Sequence, residues 1–149
     1  MSKNKRKFIF STIFILVLGI LFHFIYDFFN QSSIVGVIGA VNESAWEHLK
    51  LLFWPFLFVR LGAYFINKSH SNNFFTVTLI SILVGMLLIV SLFYTYSGII
   101  GKNNLVVDII IFVIAVAVSN YLYFKMIKSS LHNDKINIIS LITLIGLML

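Results

Sequence analysis

The polar decapeptide Val41–Lys50 carries the side chains of this chain that are best suited to chemistry. It holds Glu43, Glu47 and His48 within six positions, although the whole chain has only 5 acidic residues and 4 histidines. A carboxylate can serve as a general base, and carboxylates together with imidazoles bind metal ions. Long apolar runs flank the decapeptide on both sides. We therefore expect the functional end of the molecule at the mouth of a membrane span.

Spacing within this region points to a metal site. His23 and Asp27 are four residues apart, so they project from one face of a helix. Glu43 and Glu47 have the same spacing and also share a face if their helix begins early enough. Imidazole nitrogen beside carboxylate oxygen suits zinc, or manganese when oxygens dominate. The predicted ligands are His23, Asp27, Glu47 and His48, and the candidate general bases are Glu43 and Glu47. No HExxH motif supports the site, and adjacent Glu47 and His48 lie about 100° apart on a helix.

Composition defines the class of protein that must position these groups. Apolar residues make up 60% of the chain and charged residues 11%, a balance that a water-soluble surface does not have. The absence of cysteine excludes disulfides, thiolate metal sites and cysteine nucleophiles. The net charge of +6 is explained by basic residues that set the membrane topology and contact anionic lipid. No nucleic-acid-binding motif is present. We predict one all-α integral membrane domain over residues 1–149, with the lipid bilayer as its surroundings.

The apolar runs predict four full transmembrane helices and a fifth that is partial or truncated. A span needs about 20 apolar residues, and the predicted spans cover residues 8–29, 45–66, 74–97, 105–126 and 136–149. The fifth, at about 1.5 Å per residue, is too short to cross unaided. Residues 30–40 are rich in glycine and are predicted to form a re-entrant loop, which requires protein to cover its backbone.

Lysine and arginine predict the orientation. Four basic residues precede the first span, and three more, Lys125, Lys128 and Lys135, surround the connection between the fourth and fifth spans. The positive-inside rule then places the amino terminus in the cytoplasm and the decapeptide on the exterior of the plasma membrane.

This orientation brings the polar side chains of the spans into one leaflet. Because charged groups inside a membrane face one another or a wet cavity, we predict one polar pocket that opens to the exterior and is lined by four helices. Its predicted lining is His23, Asp27, Asn42, Glu43, Glu47, His48, Lys50, Tyr94, Tyr96 and Asp108. Alternatively, His23 is a neutral histidine that hydrogen-bonds Tyr94, Tyr96 or Asp108.

Structural roles compete with the chemical ones in the decapeptide. Ser44-Ala45-Trp46-Glu47 fits the capping box S-x-x-E, in which serine and glutamate bond free amides at a helix start. Lys50 would neutralise Asp27 or Glu43 across the helix pair.

Further along the second span, four residues have predicted structural roles. Trp46 and Trp54 fit an aromatic belt at the membrane boundary, and Pro55 is expected to kink the helix and free a carbonyl. Arg60 is expected to snorkel to the inner headgroups.

Several linked segments carry a resemblance to a known family. They are His23 in the first span, Val41-Asn42-Glu43-Ser44 followed by Trp46-Glu47-His48-Leu49-Lys50, the segment Tyr94–Gly101, and Asp108. With them, the chain from His23 to about Tyr121 resembles a family of small bacterial multi-pass membrane proteins, found mainly in Firmicutes, that has no assigned activity. Ala40 stands where the family pattern has proline, which implies a more flexible loop here.

Three classes of function fit these features. The first is a protein that binds or transports a cation, a proton or a small polar solute through its His/Asp/Glu pocket. The second is a metal-dependent membrane hydrolase, and the third is a structural or regulatory subunit whose polar cluster locks the helices together. A transport role would require a homo-oligomer or a membrane partner, because five helices leave a narrow path.

Overall fold

The computed structural model of the chain describes residues 3–67, 71–129 and 133–147, and this part is all helical. The last two residues of the predicted fifth span, 148 and 149, lie outside it. The helices are α1 (Lys3–Phe28), α2 (Ser33–Gly36), α3 (Ala45–Asn67), α4 (Phe74–Ile100), α5 (Leu105–Met126) and α6 (Asp134–Gly146).

Four of these helices are long and apolar enough to cross a membrane. They are residues Asn4–Phe28, Ala45–Ile66, Phe74–Ile100 and Leu105–Met126, whose most apolar windows have mean hydropathies between 1.6 and 2.6. The remaining helices are shorter, with 4 residues in α2 and 13 in α6. At about 1.5 Å per residue, α6 is shorter than the hydrocarbon core is thick. The predicted fold class, four spanning helices and a partial fifth, is confirmed.

The four long helices form a closed ring. Each of them packs against its neighbour in the order α1, α3, α4, α5, and contacts between α5 and α1 close the ring. Helix α6 packs against α4 on the outside. The centre of the ring is filled by fully buried apolar side chains from every long helix: Ile15, Leu52, Phe56, Ile82, Ala115 and Val116.

Small residues set how closely these helices approach. A Cβ atom on Gly85 of α4 would overlap the hydroxyl of Ser119 on α5 and lie 2.8 Å from Leu52 Cδ1. Such close approach through small residues is the usual basis of helix packing in lipid. Pro55 lies inside the continuous helix α3 and removes the amide that would bond the carbonyl of Leu51. That carbonyl faces Gly19 of α1, where a Cβ atom would lie 3.0 Å away.

The two ends of the ring differ in charge. The amino terminus of α1, the carboxyl terminus of α5 and the start of α6 share one end, which we call the basic end because Lys7, Lys125 and Lys135 lie there. The opposite end, which we call the site end, contains the end of α1, the start of α3 and the α4–α5 turn. In that turn, Gly101 has a φ of 76° and Asn104 accepts hydrogen bonds from the amides of Val106 and Val107.

Arg60 departs from its predicted role. It was expected to reach the headgroups, but its residue is only 2% exposed and its guanidinium donates a hydrogen bond to Asn120 Oδ1. The guanidinium carbon also lies 4.0 Å from the ring centre of Tyr123 and 4.8 Å from that of Phe56. The prediction of snorkelling is wrong because the interior of the ring supplies polar and aromatic partners at this depth.

Candidate metal centre

The site end is built on a sharp chain reversal after α1. Asn30 and Gln31 both have left-handed backbones, with φ of 50° and 59°. The amide of Gln31 donates to the carbonyl of Tyr26 at 2.9 Å, which bonds one of the free carbonyls of the helix end. Asparagine tolerates this conformation better than most residues, because its side chain bonds the local backbone. The chain therefore returns toward α1 directly after leaving it.

Residues 33–40 then lie against α1, as a re-entrant segment requires. The amide of Ala40 donates to the carbonyl of Phe22 at 3.4 Å, and a Cβ atom on Gly39 would lie 2.6 Å from Ile25 Cγ2. Gly36, Gly39 and Ala40 are buried. Small residues are thus needed at this contact, and the next residues of the chain are brought beside the carboxyl-terminal half of α1.

Helix α3 covers the carbonyl groups of this segment. Lys50 Nζ donates to the carbonyl of Gly36 at 2.9 Å, and Trp54 Nε1 donates to the carbonyl of Val37 at 2.9 Å. Trp54 is only 7% exposed, so its predicted place in an aromatic belt is wrong, whereas Trp46 is 66% exposed. Since buried carbonyls without partners are costly, these two bonds hold the segment in place.

The start of α3 contains half of the predicted capping box. Ser44 Oγ accepts a hydrogen bond from the amide of Glu47 at 3.3 Å, as the motif requires. The reciprocal bond of the motif, from the amide of Ser44 to the Glu47 carboxylate, is not formed. The amide of Ser44 instead donates to Asn42 Oδ1, and the Glu47 carboxylate accepts from the amide of Val41, both at 2.9 Å. Glu47 also pairs with Lys50 at 2.7 Å. Lys50 therefore neutralises Glu47 rather than the predicted Asp27 or Glu43.

Three side chains converge where the decapeptide meets α1. His23 Nε2 lies 3.6 Å from Glu43 Oε1, and His48 Nε2 lies 3.6 Å from Glu43 Oε2. The two imidazole rings are 5.5 Å apart between centres. One ligand atom from each residue lies within 4.8 Å of the others, so the three residues could hold a metal ion.

A backbone carbonyl fixes the tautomer of His48. Its Nδ1 lies 2.8 Å from the carbonyl oxygen of Ser44. Because a carbonyl only accepts hydrogen bonds, Nδ1 must carry the proton, and the lone pair of a neutral ring is then on Nε2, the atom that faces Glu43. Metal-binding histidines usually have such a partner for the second nitrogen, which orients the ring and increases its basicity.

His23 has a different environment. Its Nδ1 is buried and has no hydrogen-bond partner among the described residues. The predicted alternative bonds to Tyr94, Tyr96 or Asp108 are not formed, because His23 instead faces Glu43 and packs beside His48. Its Nε2 is therefore the atom available for chemistry.

The donor set and spacing fit zinc. Zinc bonds to histidine nitrogen at about 2.0–2.1 Å, so two ligands of a tetrahedral ion lie about 3.3–3.4 Å apart. The two His–Glu distances of 3.6 Å, each to a different oxygen of Glu43, exceed that value only slightly, and one ligand atom from each residue lies within 4.8 Å of the others, so the side chains would close by up to about 1.5 Å on an ion. The Glu43 side chain is 81% exposed and the histidines are 26% and 31% exposed, so the carboxylate has room to close on an ion. Two nitrogens and one oxygen favour zinc over manganese.

A cavity of about 270 Å³ adjoins this group between α3, α4 and α5. Glu43, His48 and Asp108 contribute to its polar lining, and apolar residues such as Phe93 and Ile111 form the rest. The Tyr96 hydroxyl donates a hydrogen bond to Asp108 and accepts one from the amide of Asn104 at 3.1 Å. An ion held by His23, Glu43 and His48 would adjoin this cavity, and no further ligand of the group is found among the described residues.

The other predicted site residues lie apart from the three-residue group. Asp27 is exposed and bonds Gln31 Nε2 at 3.5 Å, and Glu47 is engaged by Lys50 and Val41. Tyr94 is 52% exposed, Asn42 caps Ser44, and Lys50 lines a separate cavity of about 540 Å³ with Trp46 and Tyr26. The structure thus separates the ten predicted pocket residues into smaller groups.

Sequence reasoning placed Glu43 among the bases and not among the ligands. The i, i+4 rule pairs residues within one helix, whereas Glu43 precedes α3 and reaches His23 across the chain reversal. The sequence did contain one signal against pairing Glu47 with His48 as ligands. They are neighbours on a helix, so their side chains point about 100° apart.

Fold and site together define a multi-pass membrane protein with a His/Glu group that could hold a metal ion at one end of its helix ring. The chain belongs to DUF6512, a family of unknown function, whose family model matches residues 1–149. Neither the search of curated proteins nor that of solved structures gave a match.

Proposed function

We propose that this protein binds Zn²⁺ at the extracytoplasmic surface of the plasma membrane, through His23, Glu43 and His48. The observation that carries the proposal is the convergence of three ligand atoms from two helices and a loop within 4.8 Å of one another. The basic end of the ring supports the orientation, because Lys and Arg concentrate on the cytoplasmic side.

Capture of the ion is favoured over its conduction through the ring. Below the group, the ring is filled by Ile15, Leu52, Phe56 and Val116, all of which are fully buried. A permeating ion needs a continuous path of polar groups or water, and the polar side chains inside the ring, such as Ser81, Ser119 and Asn120, are themselves fully buried and out of contact with water. Transport would then require a second copy or another membrane protein, whereas binding requires only the residues of one chain.

The cavity beside the group favours metal-dependent hydrolysis as a second candidate. Zinc held by two histidines and a glutamate, with one position open, lowers the pKa of a bound water to about 7. In this candidate Glu43 is a ligand, and Asp108 replaces Glu43 and Glu47 as the general base because it lines the same cavity. Asp108→Asn would then retain zinc and slow zinc-dependent hydrolysis of a phosphodiester or amide about 100-fold or more, whereas a pure binding protein shows no zinc-dependent hydrolysis.

The proposal is tested by the metal content of detergent-purified protein, measured by inductively coupled plasma mass spectrometry after purification without an affinity metal. Wild type is expected to contain about one zinc per chain. His23→Ala and His48→Ala are expected to lose it, while His132→Ala, which removes a histidine from a different connection in the sequence, retains it. Wild type that stays metal-free after dialysis against micromolar zinc would refute the proposal and favour a packing role for the cluster.

A further inference from the structure

Arg60 is a buried cation without a carboxylate partner in the described residues. It is 2% exposed, its Nε has no hydrogen-bond partner among the described residues, and the acceptor found there for its Nη2 is the side-chain oxygen of Asn120. The rings of Phe56, Tyr123 and Phe124 surround the guanidinium carbon at 4.0–5.2 Å. Aromatic faces attract a cation but do not neutralise it, and charged groups at membrane depth normally have partners.

This arginine contributes to the wall of a groove of about 560 Å³ between α1 and α3. One wall comprises Phe10, Phe14 and Leu18, which repeat every four residues along α1 and so cover about 12 Å of its length. The opposite wall includes Phe58, Gly62 and Ile66 of α3. The groove therefore runs along the helices, as an acyl chain would.

A second cation lies at the basic end of this groove. Lys7 is exposed and lines it, and no acidic residue is among the described residues that do. Asn120, the partner of Arg60, also donates to the carbonyl of Phe8 at 3.0 Å and to Thr12 Oγ1 at 2.6 Å. Arg60 is thus held about one turn of α1 below Lys7. The groove combines two positive charges at one end with an apolar channel at the other.

We propose that this groove binds an anionic phospholipid, with its phosphate between Lys7 and Arg60 and one acyl chain along Phe10, Phe14 and Leu18. The phosphate supplies the negative charge that Arg60 lacks, and guanidinium groups bind phosphate through several hydrogen bonds. The apolar walls, which water would solvate poorly, accept the chain. This site is separate from the metal centre, because it lies at the other end of the ring.

The proposal is tested by native mass spectrometry of the full-length chain titrated with phosphatidylglycerol or with phosphatidylcholine of the same acyl chains. Both lipids carry the phosphate, but the choline group of phosphatidylcholine cancels its charge. A basic residue beside a lipid of net negative charge contributes about a fivefold preference, so the pair should bind phosphatidylglycerol up to about thirtyfold more tightly. Lys7→Ser should reduce that preference about fivefold, and Lys102→Ser, at the site end, should leave it unchanged. Equal binding of the two lipids would overturn the proposal.

A variant that fills the groove tests the acyl-chain position without removing the buried charge. A Cβ atom on Gly62 would meet nothing within 4 Å, and the same is true of Gly98, which does not line the groove. Gly62→Leu should therefore fold and weaken the binding of phosphatidylglycerol at least tenfold, whereas Gly98→Leu should not. Unchanged binding to Gly62→Leu, or equally strong binding of glycerol phosphate without acyl chains, would refute the proposed lipid site.

Discussion

The variants Glu43→Gln and Asp27→Asn distinguish the zinc ligands that the structure brings together, which include Glu43, from those that sequence spacing predicts, which include Asp27. Each replaces a carboxylate by an amide of nearly the same shape. Both carboxylates are exposed, but Glu43 lies 3.6 Å from both histidines, whereas Asp27 contacts Gln31. If the geometry determines zinc binding, only the first substitution should weaken it.

The expected magnitude follows from the number of ligands. The described residues offer three donors at this site, and Glu43→Gln replaces the anionic one among them by a neutral amide, which binds zinc weakly. Removal of a residue that merely orients a metal ligand already costs about 10–100-fold in affinity. Loss of a direct ligand should therefore cost at least about 100-fold, which is about 2.7 kcal/mol. Asp27→Asn removes only a distant charge and should change the affinity by less than about threefold.

Competition with a chromophoric zinc chelator in detergent, at one pH and ionic strength, measures both affinities. Protons compete for the imidazoles, so the pH must be identical for all variants. Circular dichroism of each variant controls for folding. The reasoning is refuted if Asp27→Asn loses zinc and Glu43→Gln retains it, because the ligands would then be the His23, Asp27, Glu47 and His48 set that spacing alone predicts.

Three further predictions concern the framework of the site and the orientation. Glu47→Gln should retain zinc but lower the free energy of unfolding by about 1 kcal/mol, since the half-buried carboxylate that accepts from an amide and a lysine loses its charge. Urea or SDS unfolding measures this. Gly85→Ala should destabilise the protein by about 1–3 kcal/mol, because the added methyl overlaps a buried hydroxyl of α5, and Gly98→Ala should not. The chain has no cysteine, so Asn42→Cys should react with an impermeant maleimide on intact cells and Asn4→Cys only after permeabilisation; the reverse pattern would contradict the proposed orientation.

Helix content was predictable from the sequence because the bilayer imposes a simple rule. Backbone groups in lipid must bond internally, so a long apolar run has to be a helix. The runs that form α1, α3, α4 and α5 satisfy that rule by length and hydropathy alone. Residues 33–40 pack against α1, which is the cover by protein that the predicted re-entrant loop over residues 30–40 requires, and the re-entrant loop itself stays a prediction.

The partners of individual polar groups were not predictable in the same way. Hydropathy treats Arg60 as a charge that must reach water, yet Asn120 and three aromatic rings surround it. Asn120 lies 60 residues away in the chain, and its own bonds reach α1 more than 100 residues away. Periodicity describes one helix at a time, so it cannot show which faces of distant helices meet.

The candidate metal centre depends on a contact of this non-local kind. Glu43 reaches His23 only because residues 33–40 fold back on α1, and that return requires Gly39 to lie against Ile25. His48 is brought to the same point by α3, whose Trp54 bonds the carbonyl of Val37 in the returning segment. The three donors are therefore positioned by packing between α1, residues 33–40 and α3, rather than by a motif within one helix. A metal site assembled in this way has no characteristic spacing of ligands, which explains why His and Glu spacing alone gave a different ligand set.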